Sequence, residues 1–294
     1  MSRFSFSCVM QIDDRTRNQR QQHTQNSNMR QTTHFLATLL FMVGLAATCQ
    51  ARQNNDRQVT TYEFVDFQQL QVSGIVEVHF TQDKHYSISV EESTNPDLMT
   101  MVKKKGETLC IWTEIKKKNI RLDKDDKPIV HITAPKLNEL RQSGATKTTM
   151  SGKLETDALS IFASGACKCQ FGSIYCTDMV ISSSGASNIS TGMVMCNSLK
   201  VNCSGACNIK TNAEAEGNAT LTFSGASNGT ISFTGNTLKL ASRGAGKLNL
   251  HVDCLQLIAS NSGAAKVSIS GTADKTTIKA TGVSKINTAE LNKL

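Results

Sequence analysis

The sequence predicts an all-β chain: a right-handed parallel β-helix with coils of about 20 residues, preceded by a β-rich head. Three observations predict it. A tripeptide of the Ser-Gly-Ala type recurs down the C-terminal half, with glycines at Gly144, Gly165, Gly185, Gly205, Gly225, Gly244, Gly263 and Gly282, 19 to 21 residues apart. A fixed period of this size marks one small unit stacked on copies of itself. Ahead of each glycine, positions −6 and −4 are apolar while −5 and −3 vary, as in Leu159/Ile161, Met179/Ile181, Leu199/Val201, Leu238/Leu240 and Leu257/Ala259. Alternation of period two is a strand with one face turned inward. Finally, only 3 prolines occur and the last is Pro135, so the repeats are free of the residue that cannot donate to a strand ladder.

The elements follow in order. Residues 1–51 read as an over-extended start followed by an export signal. From Met29 a basic beginning leads into an almost wholly apolar run, Phe35 to Ala47, that closes on small residues. This is the pattern of a secretory signal, too short to span a bilayer, and it places the true start of translation at Met29. Cys49 stands where a lipoprotein carries its acylated cysteine, behind the imperfect lipobox Leu45-Ala46-Ala47-Thr48; plain cleavage near Ala51 is the competing reading. Residues 52–60 form a polar linker.

Residues 61–135 make the head. Val72, Val76, Val78 and Phe80, then Ile88 and Val90, Leu109 and Ile111, and Val130 and Ile132 give half-buried strands. The segment 114–127 is a charged protruding loop. Residues 136–294 then supply seven or eight coils of two or three short strands each, a stack roughly 35 Å long at about 4.8 Å per coil. Glycine sits at each corner for its positive φ or for close approach, and a small residue follows it. A leucine-rich repeat would need a Leu-x-x-Leu-x-Leu pattern, and a left-handed hexapeptide helix a six-residue subperiod; neither is present.

Composition narrows function. The formal charge of +8 is concentrated in the leader and in residues 103–127. A nucleic-acid footprint would need basic residues spread along an element with aromatics for stacking, so no nucleic-acid partner is expected. The regular polar site is three residues after each glycine: Lys147, Lys168, Asn188, Asn208, Asn228, Lys247, Lys266 and Lys285. Stacked amides and amines there either form a structural ladder or a stripe that contacts glycan hydroxyls or anions. Eight cysteines lie beyond the leader. Cys176 and Cys196 each fall eleven residues after their coil's glycine and should stack within disulfide reach; small buried filler is the alternative role for the cysteines.

No catalytic, cofactor-binding or metal-ligating residues emerge. Asp157, Asp178, Asp253 and Asp274 are isolated on different coils, and no nucleophile elbow, histidine pair or phosphate loop is present. The reading is a non-catalytic exported module for adhesion, ligand binding or structural interaction. Surface glycans or envelope proteins are its expected partners, and a membrane is met only through a lipid anchor. The rival is a carbohydrate-active β-helix enzyme with an unrecognised site, which would require converging carboxylates.

Three further segments carry a resemblance: Ser73-Gly74-Ile75-Val76-Glu77-Val78, Leu109-Cys110-Ile111, and Ile132-Thr133-Ala134-Pro135-Lys136-Leu137. Followed by the Ser-Gly-Ala coils, they resemble the family of auto-transporter adhesins with a head GIN domain, common in the Bacteroides group, over about residues 60–290. The resemblance implies an exported β-helical protein of the periplasm, outer membrane or cell surface, often lipid-anchored and without an established enzymatic activity. Its many cysteines and the charged 114–127 loop set this chain apart.

Overall fold

The computed structural model describes residues 57–293, apart from 118–120, 122, 124 and 125. The export signal, the start at Met29 and Cys49 lie outside the described residues. Among those residues every regular element but a single helical turn residue at Asp126 is a strand, and the repeats form the β-solenoid that their period predicts.

Each coil has two arms joined at a glycine corner. Arm A precedes the glycine and arm B follows it. In the first half the arms are separate strands: β8 (Glu139–Gly144) and β9 (Lys147–Glu155), then β10 (Ala158–Gly165) and β11 (Lys168–Tyr175), then β12 (Asp178–Ser183). Later, arm B of one coil runs without a break into arm A of the next, as in β13 (Asn188–Cys203), β14 (Asn208–Gly225), β15 (Asn228–Gly244), β16 (Lys247–Gly263) and β17 (Lys266–Gly282); β18 (Lys285–Asn292) ends the stack. The far bend of these long strands is absorbed by register shifts, at Cys196/Ser198 and at Ala215/Asn218. Coil stacks on coil by parallel pairing, glycine opposite glycine: Gly165 over Gly144, Gly244 over Gly225, Gly263 over Gly244, Gly282 over Gly263.

The head belongs to the same stack. β2 (Gln69–Gly74) and β3 (Glu77–Gln82) meet at Gly74 and pair in parallel with β8 and β9, so they are a coil in their own right. On their other side lie β6 (Thr108–Ile115) and β7 (Ile129–Ala134), also parallel. The chain therefore makes one coil, adds a layer beneath it, and returns to build upward on the first. Outside that layer come the only antiparallel pairings among the described strands: β5 (Leu98–Lys105) on β6, β4 (Ser87–Glu91) on β7, and β1 (Val59–Tyr62) on β4. The gap from Gly74 to Gly144 is not a multiple of the 20-residue period, which hides this first coil from a repeat search.

The core is the space between the arms. Inward positions Leu159, Ile161, Met179, Ile181, Val201, Leu221, Leu238 and Leu257 are at most marginally exposed, and so are Val78, Ile189, Ile209, Leu248 and Val267 across from them. Volume is balanced between coils: at Gly229, where other coils place an apolar side chain, an added Cβ would meet Leu248 at 3.0 Å and the Phe223 ring at 3.2 Å. The large ring of Phe223 occupies the space that glycine vacates. Near the first coils the core also holds a small polar cluster, in which buried Gln142 donates to Thr148 and accepts from the Cys169 thiol at 2.7 Å.

Candidate functional site

The glycine corner is a hydrogen-bonded joint repeated at most levels. The carbonyl of Gly74 accepts from the amide of Ala145 at 2.8 Å, that of Gly144 from Ala166 at 2.8 Å, and that of Gly185 from Ala206 at 2.8 Å. A Cβ on Gly165, Gly185 or Gly205 would stand 2.7–2.8 Å from the glycine oxygen of the coil before it, and these residues carry φ between 79° and 94°. Both the clash and the left-handed backbone exclude other residues. Two places after the glycine a buried hydroxyl or thiol turns back on the corner: Ser187 donates to Ser184 O at 3.1 Å, Ser227 to Ser224 O at 2.7 Å, and Cys207 to Ser204 O at 3.0 Å. Cys167 does the same to Ser164 O at 2.9 Å. These two cysteines fill a serine's place in the corner, as small buried residues with a weak donor.

One place further on, all eight sequence-singled Lys and Asn residues fall in one column. Lys147 pairs with Lys168, Lys168 with Asn188, Asn188 with Asn208, Asn208 with Asn228, Lys247 with Lys266 and Lys266 with Lys285. Their backbone amides bond to the preceding coil, for example Asn208 N to Ser187 O at 2.8 Å. Among the described residues the three asparagines form no side-chain to side-chain amide bonds; Asn228 Oδ1 instead accepts from the Lys247 amide at 3.0 Å. The column has a ninth member that periodicity did not reveal. Glu77, three residues after Gly74, pairs in register with Lys147 and meets its Nζ at 2.6 Å. Burial raises the Glu77 carboxyl, but the hydrogen bond and charge of Lys147, with His79, outweigh it and hold the group below its ordinary value.

A second surface lies across the corner, on the outward face of arm A. A groove of about 610 Å³ runs over several coils there, a volume in the range of small-ligand sites. Its floor is a column three residues before each glycine: Arg141, Phe162, Ser182, Asn202 and Thr222, each in register with the next. Its rim toward the corner is Ser143, Ser164, Ser184, Ser204 and Ser224. At the head end the Arg141 guanidinium lies 4.2 Å over the Phe162 ring and is forked onto Glu139 at 2.6 and 2.9 Å, which fixes both side chains. The side chains of Ser182, Ser184, Asn202, Ser204 and Thr222 make no hydrogen bond among the described residues, so their donors and acceptors face the groove unengaged. The columns at −3 and −1 are legible from the repeat once residues are aligned on the glycines; their concavity is not.

The groove lining contains no Asp or Glu. Asp157 is exposed beside Lys136 Nζ at 3.2 Å, and Asp253 accepts from Thr272 at 2.7 Å one coil away. Asp178 N meets Asp157 O at 3.4 Å on the neighbouring coil, and burial, with Asp253 and then Asp274 adding to it, raises the Cys254 thiol. None of the four lines the groove, which offers hydrogen bonding, one aromatic face and one cation paired with Glu139. Hydroxyls and amides of this kind can exchange hydrogen bonds with a ligand.

Cys176 and Cys196 occupy neighbouring coils, with Cys176 N bonded to Met195 O at 3.0 Å, and both are free thiols in this structure. Burial pushes the Cys176 thiol up to about 12, with the Cys196 thiol and the Asp178 carboxylate adding to it. Burial, and then Asp178, pushes Cys196 up to about 11.

Comparison with known proteins agrees with the fold. Curated proteins return no match. A crystal structure described as a putative adhesin from Parabacteroides distasonis is similar at a TM-score of 0.65 and 16% identity, covering 80% of this chain and 98% of that one. A putative adhesin from Bacteroides fragilis is similar at 0.56 and 18%, with the same coverage. A protein described as a putative lipid binding protein, again from P. distasonis, is similar at 0.57 and 19%, also covering 80% and 98%. A family model matches residues 66–236 and 226–293, nearly the whole solenoid and its first coil: the chain belongs to the family described as putative auto-transporter adhesin, head GIN domain.

Proposed function

We propose that this chain is an exported, non-catalytic envelope protein that holds a hydroxyl-rich glycan in the groove on the outer face of arm A. The observation that carries the reading is the groove itself: free Ser, Thr and Asn side chains repeat at the coil spacing beside the fixed Phe162–Arg141 pair. Hydroxyls and amides exchange hydrogen bonds with sugar hydroxyls, while a fixed aromatic edge supplies apolar contact. Membership of an adhesin family supports an exposed location, as does the apolar run from Phe35 to Ala47. Export and the mode of anchoring are part of the proposal; fractionation of cells with and without Cys49→Ala tests them.

The ligand test is a neutral-glycan array on the chain from residue 52. Expected is binding to a subset of glycans, lost in Phe162→Ala and in the combined Ser184→Ala, Asn202→Ala and Ser204→Ala variant, with unchanged thermal midpoints. Absence of binding by the parent chain, or full binding by both variants, would overturn the reading. Release of new reducing ends from a bound glycan would replace it with the enzyme reading.

A further inference from the structure

We infer that the last three coils carry a separate site for a linear acidic polysaccharide, built on the lysine ladder Lys247, Lys266 and Lys285. The three residues stand directly above one another, Lys247 paired with Lys266 and Lys266 with Lys285, and all are exposed. Coils rise by about 4.8 Å, so three ammonium groups share a short vertical line. None has an anionic partner within salt-bridge distance among the described residues, whereas Lys147, in the same column at the head, is answered by Glu77. Like charges directly opposite on neighbouring strands destabilise a sheet. Of the column's lysines only Lys147 is paired with an acid; Lys168 beside it has none among the described residues, and the last coils stack three unpaired lysines in succession where the middle coils carry asparagine.

The surroundings reinforce the sign. Between residues 239 and 293 there are eight Lys or Arg against three acids, Asp253, Asp274 and Glu290. Each acid lies at least five residues beyond the lysine that leads its strand, toward or past the far bend. Arg243, one residue before Gly244, and Lys279, three before Gly282, are exposed on arm A of their own coils.

Shape selects the ligand. The cations run in single file along the stacking direction, which suits a linear chain better than a lipid surface. Successive lysines stand about 4.8 Å apart along the stack, so a linear polyanion laid along them can bring carboxylates or sulfates to more than one lysine. Ala245 and Ala264 beside the ladder let a chain lie close. No aromatic side chain stands in the column to stack a base, as single-stranded nucleic acid would require. Above the lysines toward the head, Asn228, Asn208 and Asn188 continue the line with amides suited to sugar hydroxyls.

The test measures binding of polygalacturonate oligomers to the exported chain across a salt series. Expected is binding that weakens steadily as salt rises. The Lys247→Gln, Lys266→Gln, Lys285→Gln triple variant should lose about tenfold in affinity with a shallower salt slope, as fewer counterions are released. Its thermal midpoint should be equal or higher, since repulsion is removed. A control triple, Lys103→Gln, Lys104→Gln, Lys105→Gln on β5, removes the same charge elsewhere and should bind as the parent does. The Phe162→Ala groove variant should also bind polygalacturonate normally, which keeps this site distinct from the groove. Equal losses in both lysine triples would overturn the site, as would a parent chain that ignores polygalacturonate. Tighter binding of phosphatidylglycerol vesicles or oligothymidylate than of polygalacturonate would overturn the ligand class.

Discussion

Glu77 and Lys147 are seventy residues apart in sequence, one coil apart in space, and joined by an ion pair of 2.6 Å. The pair clamps the head coil to the first repeat coil at the one column where sequence shows only a charge on each side. Both residues are partly exposed, so the pair adds a surface-sized increment, roughly 0.2–1 kcal/mol. Lys147→Met should lower stability by that amount at pH 7. Because the Glu77 carboxyl sits below its ordinary value, its contribution is present at neutral pH and is lost as pH falls below about 4. Urea titrations of parent and variant should therefore differ at pH 7 and draw together as pH falls below the ordinary carboxylate range; a constant difference throughout acid titration would contradict the assignment.

Glycine is required at the corners by geometry that a substitution series can read. Gly205→Ala puts a Cβ 2.7 Å from the Gly185 oxygen at φ 94°, and strain plus overpacking should cost about 2–5 kcal/mol. Gly106 also has positive φ, at 57°, but an added Cβ meets nothing within 4 Å. Gly106→Ala should cost only about 1–2 kcal/mol. Denaturant midpoints of the two variants give the comparison directly.

The buried corner donors should be interchangeable where size allows. Cys207→Ser reproduces what Ser187 and Ser227 already do and should change stability by less than about 1 kcal/mol. Ser227→Ala leaves the Ser224 carbonyl without its 2.7 Å donor and should cost about 1 kcal/mol or slightly more. Thermal melts that rank the two variants in the opposite order would refute this role for the cysteines.

Thiol chemistry should be slow and selective. Burial raises the Cys169, Cys176, Cys196 and Cys203 thiols, and the thiolate is the reactive form. At pH 7.5 an alkylating reagent should modify Cys176, half-buried, well before the buried Cys169 and Cys203. Under a disulfide-catalysing oxidant, Cys176 and Cys196 should be the first pair to cross-link, being adjacent in register. Peptide mapping by mass spectrometry reads both outcomes, and early labelling of Cys169 would count against them.

Much of this architecture was legible because one residue column cannot change without disturbing those above and below it. Gly165, Gly185 and Gly205 repeat since a Cβ at each would strike the glycine oxygen of the coil before it; Leu199 and Val201 alternate since one face of their strand is inside. The Lys and Asn column could be aligned from the same glycines. Glu77 could not, because the layer β6–β7 and its connections intervene before the chain returns to Gly144. The groove was also out of reach: Phe162, Ser182 and Asn202 can be aligned on the glycines, but nothing in their letters shows that the column lies in a concavity.

Sequence by itself determined the local and periodic features: coil length, the corner residue, which side chains point inward, and where charge accumulates. These depend on near neighbours and on a repeat that every coil enforces on the next. Only the tertiary structure decided that the head is the first coil with a layer slipped beneath it, that Glu77 completes the lysine column, and that arm A is hollowed into a groove. Those features arise from pairings across seventy residues and from the surface shape of several stacked coils, and neither leaves a period in the chain.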